Sequence, residues 1–415
     1  MAKWRLLARR VLFGAGLALT AIELAMFGVA DAGGALTLSG RISGVIFLVA
    51  ALTEIAAIIA FRDQLGPRPA RYSSLLILTG VLISLTMNLT LLALQLDSRS
   101  YTHLIWVWLA LFPWSCWALW QIHRSGVWGT LPSTKGLAVG AVATSLLAVA
   151  NFTYTQIYQP YSSPALVTTT AEFGKAIILK EGGATAVSLR LRTKNAGKVG
   201  VYILGSLYHV AGRKASFSNR HRTLQDWEKD PGRRRELSLY TRRGTDDVVA
   251  QGAFIGEGGT LEPGAEIVAE RVIQFPADSR YDVIGVAGEV VFLRKDRGTI
   301  ASVREISAGD STRPFRADPL VVGRSARIYE STAVLEFTRA PQHVSVWWVT
   351  RGEAAKSAWS YLMTSIEREG GRVNFDFQLP SETQVRRVED RYGLGWSFTG
   401  YADKSLKELM GQQGS

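Results

Sequence analysis

Two carboxylates, Glu23 in Ala21-Ile22-Glu23-Leu24-Ala25 and Glu54 in Leu52-Thr53-Glu54-Ile55-Ala56, interrupt runs that are otherwise apolar. A carboxyl group among aliphatic side chains can pass a proton or an ion if it lines a wet path. Otherwise its oxygens need hydrogen bonds from neighbouring elements. A third apolar run supplies partners, because Gly80, Ser84 and Asn88 recur every four residues and so share one face of a helix. Counted from the basic end of each run, Glu23 is about the 13th residue and Glu54 about the 8th. At about 1.5 Å per residue the two are offset by about 7 Å. Ser84 is expected at the depth of Glu54 and Asn88 at that of Glu23. Two offset carboxylates fall short of a relay, so the expectation is hydrogen-bonded glue between helices.

Other chemistry-bearing residues are sparse. Cys116, the single cysteine, has no charged neighbour that would favour a thiolate and is expected to be buried and inert. It lies among Trp106, Trp108, Pro113, Trp114, Trp117 and Trp120, a pattern that suits aromatic anchoring at both ends of a span and a kink between them. His209, His221 and His343 are far apart and lack ligand-spaced partners. There is no G-x-S-x-G, no H-E-x-x-H and no phosphate loop, since Gly256-Glu257-Gly258-Gly259 lacks the lysine and the strand-to-helix setting. Asp246-Asp247 and Glu389-Asp390 are adjacent pairs whose members diverge in a strand. No catalytic residue, metal site or cofactor is therefore expected. The segment Asn219–Gly244 differs from its surroundings: Arg220, Arg222, Arg233, Arg234, Arg235, Arg242 and Arg243 cluster around Trp227 and Tyr240. Forked guanidinium donors suit phosphate, acidic glycan or anionic lipid headgroups, although Asp226, Glu228, Asp230 and Glu236 offset part of the charge.

The elements that must position these groups divide the chain in two. Five apolar runs, Val11–Ala30, Ile42–Phe61, Leu75–Leu94, Leu104–Trp120 and Leu137–Phe152, are each near the roughly 20 residues that cross a bilayer as helix, and no such run follows. Nine Lys and Arg lie before the first run, after the second and after the fourth, against only Arg41 and Arg99 in the alternate loops. Basic residues near span ends stay in the cytoplasm, so the N-terminus is expected inside and everything after about Tyr154 outside. Ala30-Asp31-Ala32 also has the small-x-small form of a signal-peptidase site, but the run before it is long for a signal and contains Glu23. The first 150 residues carry 11 basic and 5 acidic side chains and the rest 36 and 30, so the net charge of +12 is spread evenly and calls for no nucleic-acid partner.

After Gln159-Pro160-Tyr161-Ser162-Ser163-Pro164 the pattern becomes one of short alternating runs. Ala186–Arg192 alternates with period two, Asn195-Ala196-Gly197-Lys198 reads as a turn and Val199–Val210 as the returning strand of a hairpin. Val248–Ile255, Ala265–Phe275 and Tyr281–Arg294 continue the series. Beyond Asp318 the spacing predicts strands over Val321–Tyr329, Val334–Thr338 and Val344–Thr350, helices over Glu353–Glu369, Ser381–Arg391 and Lys404–Met410, and a strand over Val373–Leu379. The expected fold is a membrane α-helical bundle of five spans, a linker over 154–164, an all-β immunoglobulin-like sandwich over 165–300 and a small α+β module over 318–415.

Five apolar runs followed by Thr185-Ala186-Val187-Ser188, the turn Lys194-Asn195-Ala196-Gly197-Lys198 and Leu261-Glu262-Pro263-Gly264 resemble uncharacterised multipass membrane proteins of actinobacteria with an exported β-rich domain. The resemblance implies the topology but no activity and no site residue. Ala, Gly, Val and Arg richness with few Lys agrees with a high-GC bacterial source. The expected role is non-enzymatic: a plasma-membrane protein displaying an extracytoplasmic binding or scaffold domain. Its expected partners are membrane lipid, an envelope polymer or a membrane protein. The alternatives are a transport or channel component using Glu23 and Glu54, and an envelope-modifying enzyme.

Overall fold

The computed structural model describes residues 2–65, 72–98, 101–124, 154, 165–178, 184–217, 223–225, 240–275, 281–301, 303–306, 321–351, 359–368, 389–400 and 402–411. Four long helices come first: α1 (Ala2–Gly34), α2 (Leu38–Gln64), α3 (Ser73–Ser98) and α4 (Ile105–Arg124). Each is long and apolar enough to cross a membrane. They outrun the apolar stretches that announce them, because helix is the only way a span pairs all its backbone groups and polar ends can continue it into the interface. The fifth expected span, 137–152, lies outside the described residues, as does the linker apart from Tyr154.

The bundle is apolar on its outside. Val11, Ile22 and Val29 on α1 and Val45, Leu52 and Ile59 on α2 are exposed at helical spacing. That would be an aggregation-prone patch in water but matches a hydrocarbon surrounding. Cys116, expected to be buried, is on this exposed surface of α4. The sequence shows its apolar setting but not which helix face turns inward. Close helix contacts fall at small residues: a Cβ on Gly28 would meet Leu48, one on Gly44 the backbone of Asp31 and Ala32, and one on Gly80 Ala57. Trp114 fills the space left by Gly16 and donates its indole N–H to Leu12 O at 3.0 Å.

The remaining described residues form three antiparallel sheets. The first joins β1 (Val167–Ile178), β2 (Thr185–Asn195) and β6 (Glu266–Phe275) in the order β1-β2-β6. The second has the order β13-β7-β3-β4, from β3 (Val201–Phe217), β4 (Tyr240–Gly252), β7 (Val283–Arg294) and β13 (Gly395–Phe398). β14 (Ala402–Ser405) also pairs with β7, and β5 (Thr260–Leu261) with β3. The third has β12 (Trp359–Arg368), β11 (Gln342–Arg351), β10 (Val321–Glu330) and β8 (Gly298–Ile300) in that order, with β9 (Arg304–Ile306) also on β10. Short helices α5 (Ala333–Thr338) and α6 (Leu406–Gly411) follow β10 and β14.

The second sheet is the middle layer. Val187, Leu189 and Leu191 of β2 pack with Val210, Val286 and Val290 on one of its faces. Leu207, Val291 and Leu293 pack with Ile328, Val344 and Val346 of the third sheet on the other. A strand covered on both faces has no wet side, which is why β7 reads as a nearly unbroken apolar run while β2 alternates. Gly205 admits the close approach of the outer layer, since a Cβ there would lie 3.1 Å from Val346 Cγ1. The exposed face of the first sheet carries charge instead, with Arg190–Glu270 at 2.7 Å and Arg192–Glu266 at 3.0 Å, pairs that contribute little to stability.

Four expectations are corrected by these layers. The turn after β2 does not close a hairpin: β2 pairs with β1 and β6, whereas β3 joins the middle sheet, so Asn195–Gly200 carries the chain between layers. Asn195, fully buried, holds the crossing by donating to Val199 O at 2.8 Å and Leu261 O at 2.9 Å. The helix expected over Glu353–Glu369 is strand over Trp359–Arg368, paired through its whole length with β11. Leu362 and Ile366 fit either period, and cross-strand pairing decides. Val334–Thr338, expected as strand, is helix α5, for Thr332 Oγ1 accepts from Leu335 N at 3.3 Å and caps it. Residues 318–415 are not a separate α+β module, because β13 and β14 return to β7 of the middle sheet; the helix expected over Lys404–Met410 does form, as α6, once β14 has taken its first two residues. The helix over Ser381–Arg391, except its last three residues, and the strand over Val373–Leu379 lie outside the described residues.

Candidate functional site

Inside the bundle the polar side chains pair between helices. Ser84 Oγ of α3 donates to Glu54 Oε1 of α2 at 2.7 Å, and both residues are fully buried. The four-residue spacing that puts Gly80 and Ser84 on one face explains the seat, since Gly80 leaves room for the carboxyl and a Cβ there would lie 3.1 Å from Glu54 Oε2. Asn88, one turn further along, meets neither glutamate by a hydrogen bond. Its Nδ2 donates to Ser115 Oγ of α4 at 3.1 Å and to Thr20 Oγ1 of α1 at 3.5 Å. Glu23 faces the indole of Trp108, with Oε2 and the indole nitrogen buried and closing no hydrogen bond of ordinary geometry. Three side-chain hydrogen bonds thus tie α3 to α2, α1 and α4, and Glu23 sets α1 against Trp108 of α4. Thr20 and Ser115 were invisible beforehand, because hydroxyl side chains are common in spans and only helix rotation selects which face inward.

Glu54 lends itself to a direct test. Glu54→Gln is expected to preserve the bundle because glutamine still accepts from Ser84 Oγ, whereas Glu54→Leu leaves that hydroxyl unpaired and should cost about 1–3 kcal/mol. Thermal unfolding in detergent distinguishes them. Equal losses for both variants would remove the hydrogen bond from the account.

A second constellation joins the bundle to the sheets. Helix α5 sits between β10 and β11 and enters the bundle end formed by segments 35–37 and 101–104. Val334 is buried among Leu24, Phe27, Leu91 and Trp108, and the rings of Phe337 and Phe27 lie 5.7 Å apart. Asp31 Oδ1 accepts from Ala333 N at 2.5 Å, and Leu36 N donates to Ser331 O at 3.1 Å. On the far side Thr102 Oγ1 donates to Phe337 O at 3.1 Å and Ser98 Oγ to Thr338 O at 3.4 Å. Asp31, the middle residue of the Ala30-Asp31-Ala32 motif, is 1% exposed and serves this junction.

The base of α5 is braced from the sheets. Glu330 takes Tyr392 Oη at 2.5 Å on Oε1 and Arg339 Nη1 at 2.7 Å on Oε2. Burial and the neighbouring Glu330 carboxylate hold the Tyr392 phenol well above its usual range, so it remains a donor. Glu336 Oε2 accepts from Glu330 N at 2.8 Å, and Arg391 Nη2 donates to Ser98 O at 3.5 Å.

The expected anion-binding set is only partly within view. Arg220, Arg222, Arg233, Arg234 and Arg235 lie outside the described residues, while Arg242 and Arg243 occupy β4 opposite Ala215 and Lys214. His209 is in β3, where burial lowers its pKa, and His343 is in β11. Among the described residues no three His, Cys, Asp or Glu side chains gather in a metal-ligating group.

No family model and no curated protein matches the chain. Among solved structures it is similar to the putative ApaA protein of Bordetella pertussis, at 10% identity over 32% of this chain and 82% of that one, with a TM-score of 0.20. It is also similar to Spo0M, a sporulation control protein of Bacillus subtilis, at 10% identity over 60% of this chain and 93% of that one, with a TM-score of 0.19. At these scores the similarity bears on neither fold nor function.

Proposed function

We propose that the chain is a non-enzymatic protein of the bacterial plasma membrane. In this reading a five-span bundle holds an immunoglobulin-like sandwich and its companion sheet on the extracytoplasmic side, as a rigid platform for an envelope component or a partner membrane protein. The observation that carries it is the junction at α5: sheets seated on a bundle through a buried aliphatic and aromatic plug are displayed at a set height and angle, which serves a scaffold. The polar side chains of the bundle support glue rather than transport, since Glu54 and Asn88 each close hydrogen bonds to neighbouring helices.

Two observations support the orientation. The sheets contact the bundle end that holds Arg41 in the first turn of α2, while Arg9, Arg10 and Arg124 lie at the other, more basic end. Because α4 finishes at that basic end, the chain has to change sides before β1, and 137–152 is the apolar run of span length available. Single cysteines placed at Leu65 and at Thr168 in a Cys116→Ala background test the arrangement. An impermeant thiol reagent applied to intact cells is expected to label the Thr168 position and not the Leu65 position. The reverse pattern, or labelling of both from outside, overturns the reading.

A further inference from the structure

At the end of the bundle away from the sheets, the start of α1, the end of α2, the start of α3 and the end of α4 enclose a cleft of about 460 Å3. This is within the range of about 300–1,000 Å3 usual for small-ligand sites. Its chemistry is divided. Arg9 and Arg10 stand at the rim with the amide side chains Gln64 and Gln121, and none of the described residues lining the cleft is a carboxylate. The deeper wall is aromatic: Phe13 and Phe61 stack at 4.7 Å, and Trp117 lies 6.4 Å from Phe13. Nearby Asp63 does not neutralise the rim by facing into it, since its Oδ2 accepts from Ser73 Oγ at 2.7 Å.

We infer that this cleft binds an anionic phospholipid, with the phosphate at Arg9 and Arg10 and the first acyl carbons against Phe13, Phe61 and Trp117. Two guanidinium groups beside neutral amide donors suit a phosphodiester. The step from charged rim to aromatic wall within about one helical turn, Arg9 to Phe13, follows the gradient from headgroup to hydrocarbon in the bilayer itself. A free anion would use the rim alone and leave the aromatic wall without a role. The inference depends on α1–α4 being membrane spans, but on neither their orientation nor the role of the sheets.

Native mass spectrometry of the full chain, titrated in detergent with phosphatidylglycerol or phosphatidylcholine, tests it. Phosphatidylglycerol is expected to bind about tenfold or more tightly than phosphatidylcholine. Arg9→Gln with Arg10→Gln should abolish that preference, the double Lys variant should restore most of it, and Trp117→Ala should weaken phosphatidylglycerol binding. Both arginines are exposed, so these changes leave the packed helix faces untouched. No preference in the wild type, or an undiminished one in the double Gln variant, overturns the proposal. Competition by inorganic phosphate together with an unaffected Trp117→Ala variant would instead make the cleft a free-anion site and equally reject a lipid.

Discussion

Val334→Asp is expected to release the sheets from the bundle while leaving both folded. Val334 is 1% exposed and surrounded by Leu24, Phe27, Met87, Leu91 and Trp108, so a carboxylate there is buried among apolar side chains with no cation among them. The penalty is about 3 kcal/mol or more. Asp31, seated at the neighbouring Ala333 amide, adds a second carboxylate to the same small volume. The sheets keep their own cores, which lie on the two faces of β3 and β7 and do not include α5. Hydrogen exchange should therefore rise in segments 31–38 and 331–339, where Leu36 N and Ala333 N are paired across the junction, and remain slow in β3 and β7. Val334→Ala, which removes volume without adding charge, should produce a smaller change of about 1–2 kcal/mol. Unaltered exchange in Val334→Asp would mean that α5 does not hold the two parts together.

Gly44→Leu is expected to destabilise the bundle by about 3 kcal/mol or more, because the new side chain meets backbone that cannot yield. A Cβ at position 44 would stand 2.3 Å from Ala32 N and 2.8 Å from Asp31 C. Helices α1 and α2 must separate to accommodate it, and that separation moves Asp31 away from α5. The effect should appear as a lowered thermal midpoint in detergent together with faster exchange at the junction. Gly14→Leu is the control. Gly14 lies on the same helix as Asp31 but has nothing within 4 Å of its would-be Cβ, so it should retain the wild-type midpoint. Equal losses at positions 14 and 44 would indicate a general helix or lipid effect rather than close packing of α1 on α2.

The division into apolar helices and a β-rich remainder was legible in the residues themselves, because spans and strands are declared by local composition and period. The meeting of Ser84 with Glu54 was accessible for the same reason: a four-residue repeat and a depth count are properties of single helices. Where Asn88 points depends on how α3 is rotated against α1 and α4, and only packing decides that. The β region shows the same boundary. Strands β6, β7, β10 and β11 lie where alternation or β-branched runs indicate them, yet the partners of β2 and β3 do not follow from chain order. Strand pairing is non-local, and a strand covered on both faces loses the alternation that would reveal its layer.

The junction was the least legible feature. Asp31 looked like part of a processing motif and Val334–Thr338 like a strand, since β-branched residues around Phe337 favour extension. Tertiary structure made them one site: the cap at Thr332, the carboxylate of Asp31 and a pocket between α1, α3 and α4 together select helix over strand. Apart from the cap, the contacts across the junction join residues roughly 235 to 300 positions apart, and no local pattern encodes a contact at that separation. The residues determined where the chain is greasy and where it alternates. Only the folded molecule decided that α5 seats the sheets on the bundle, because that junction rests on side chains that acquire partners when the two parts meet.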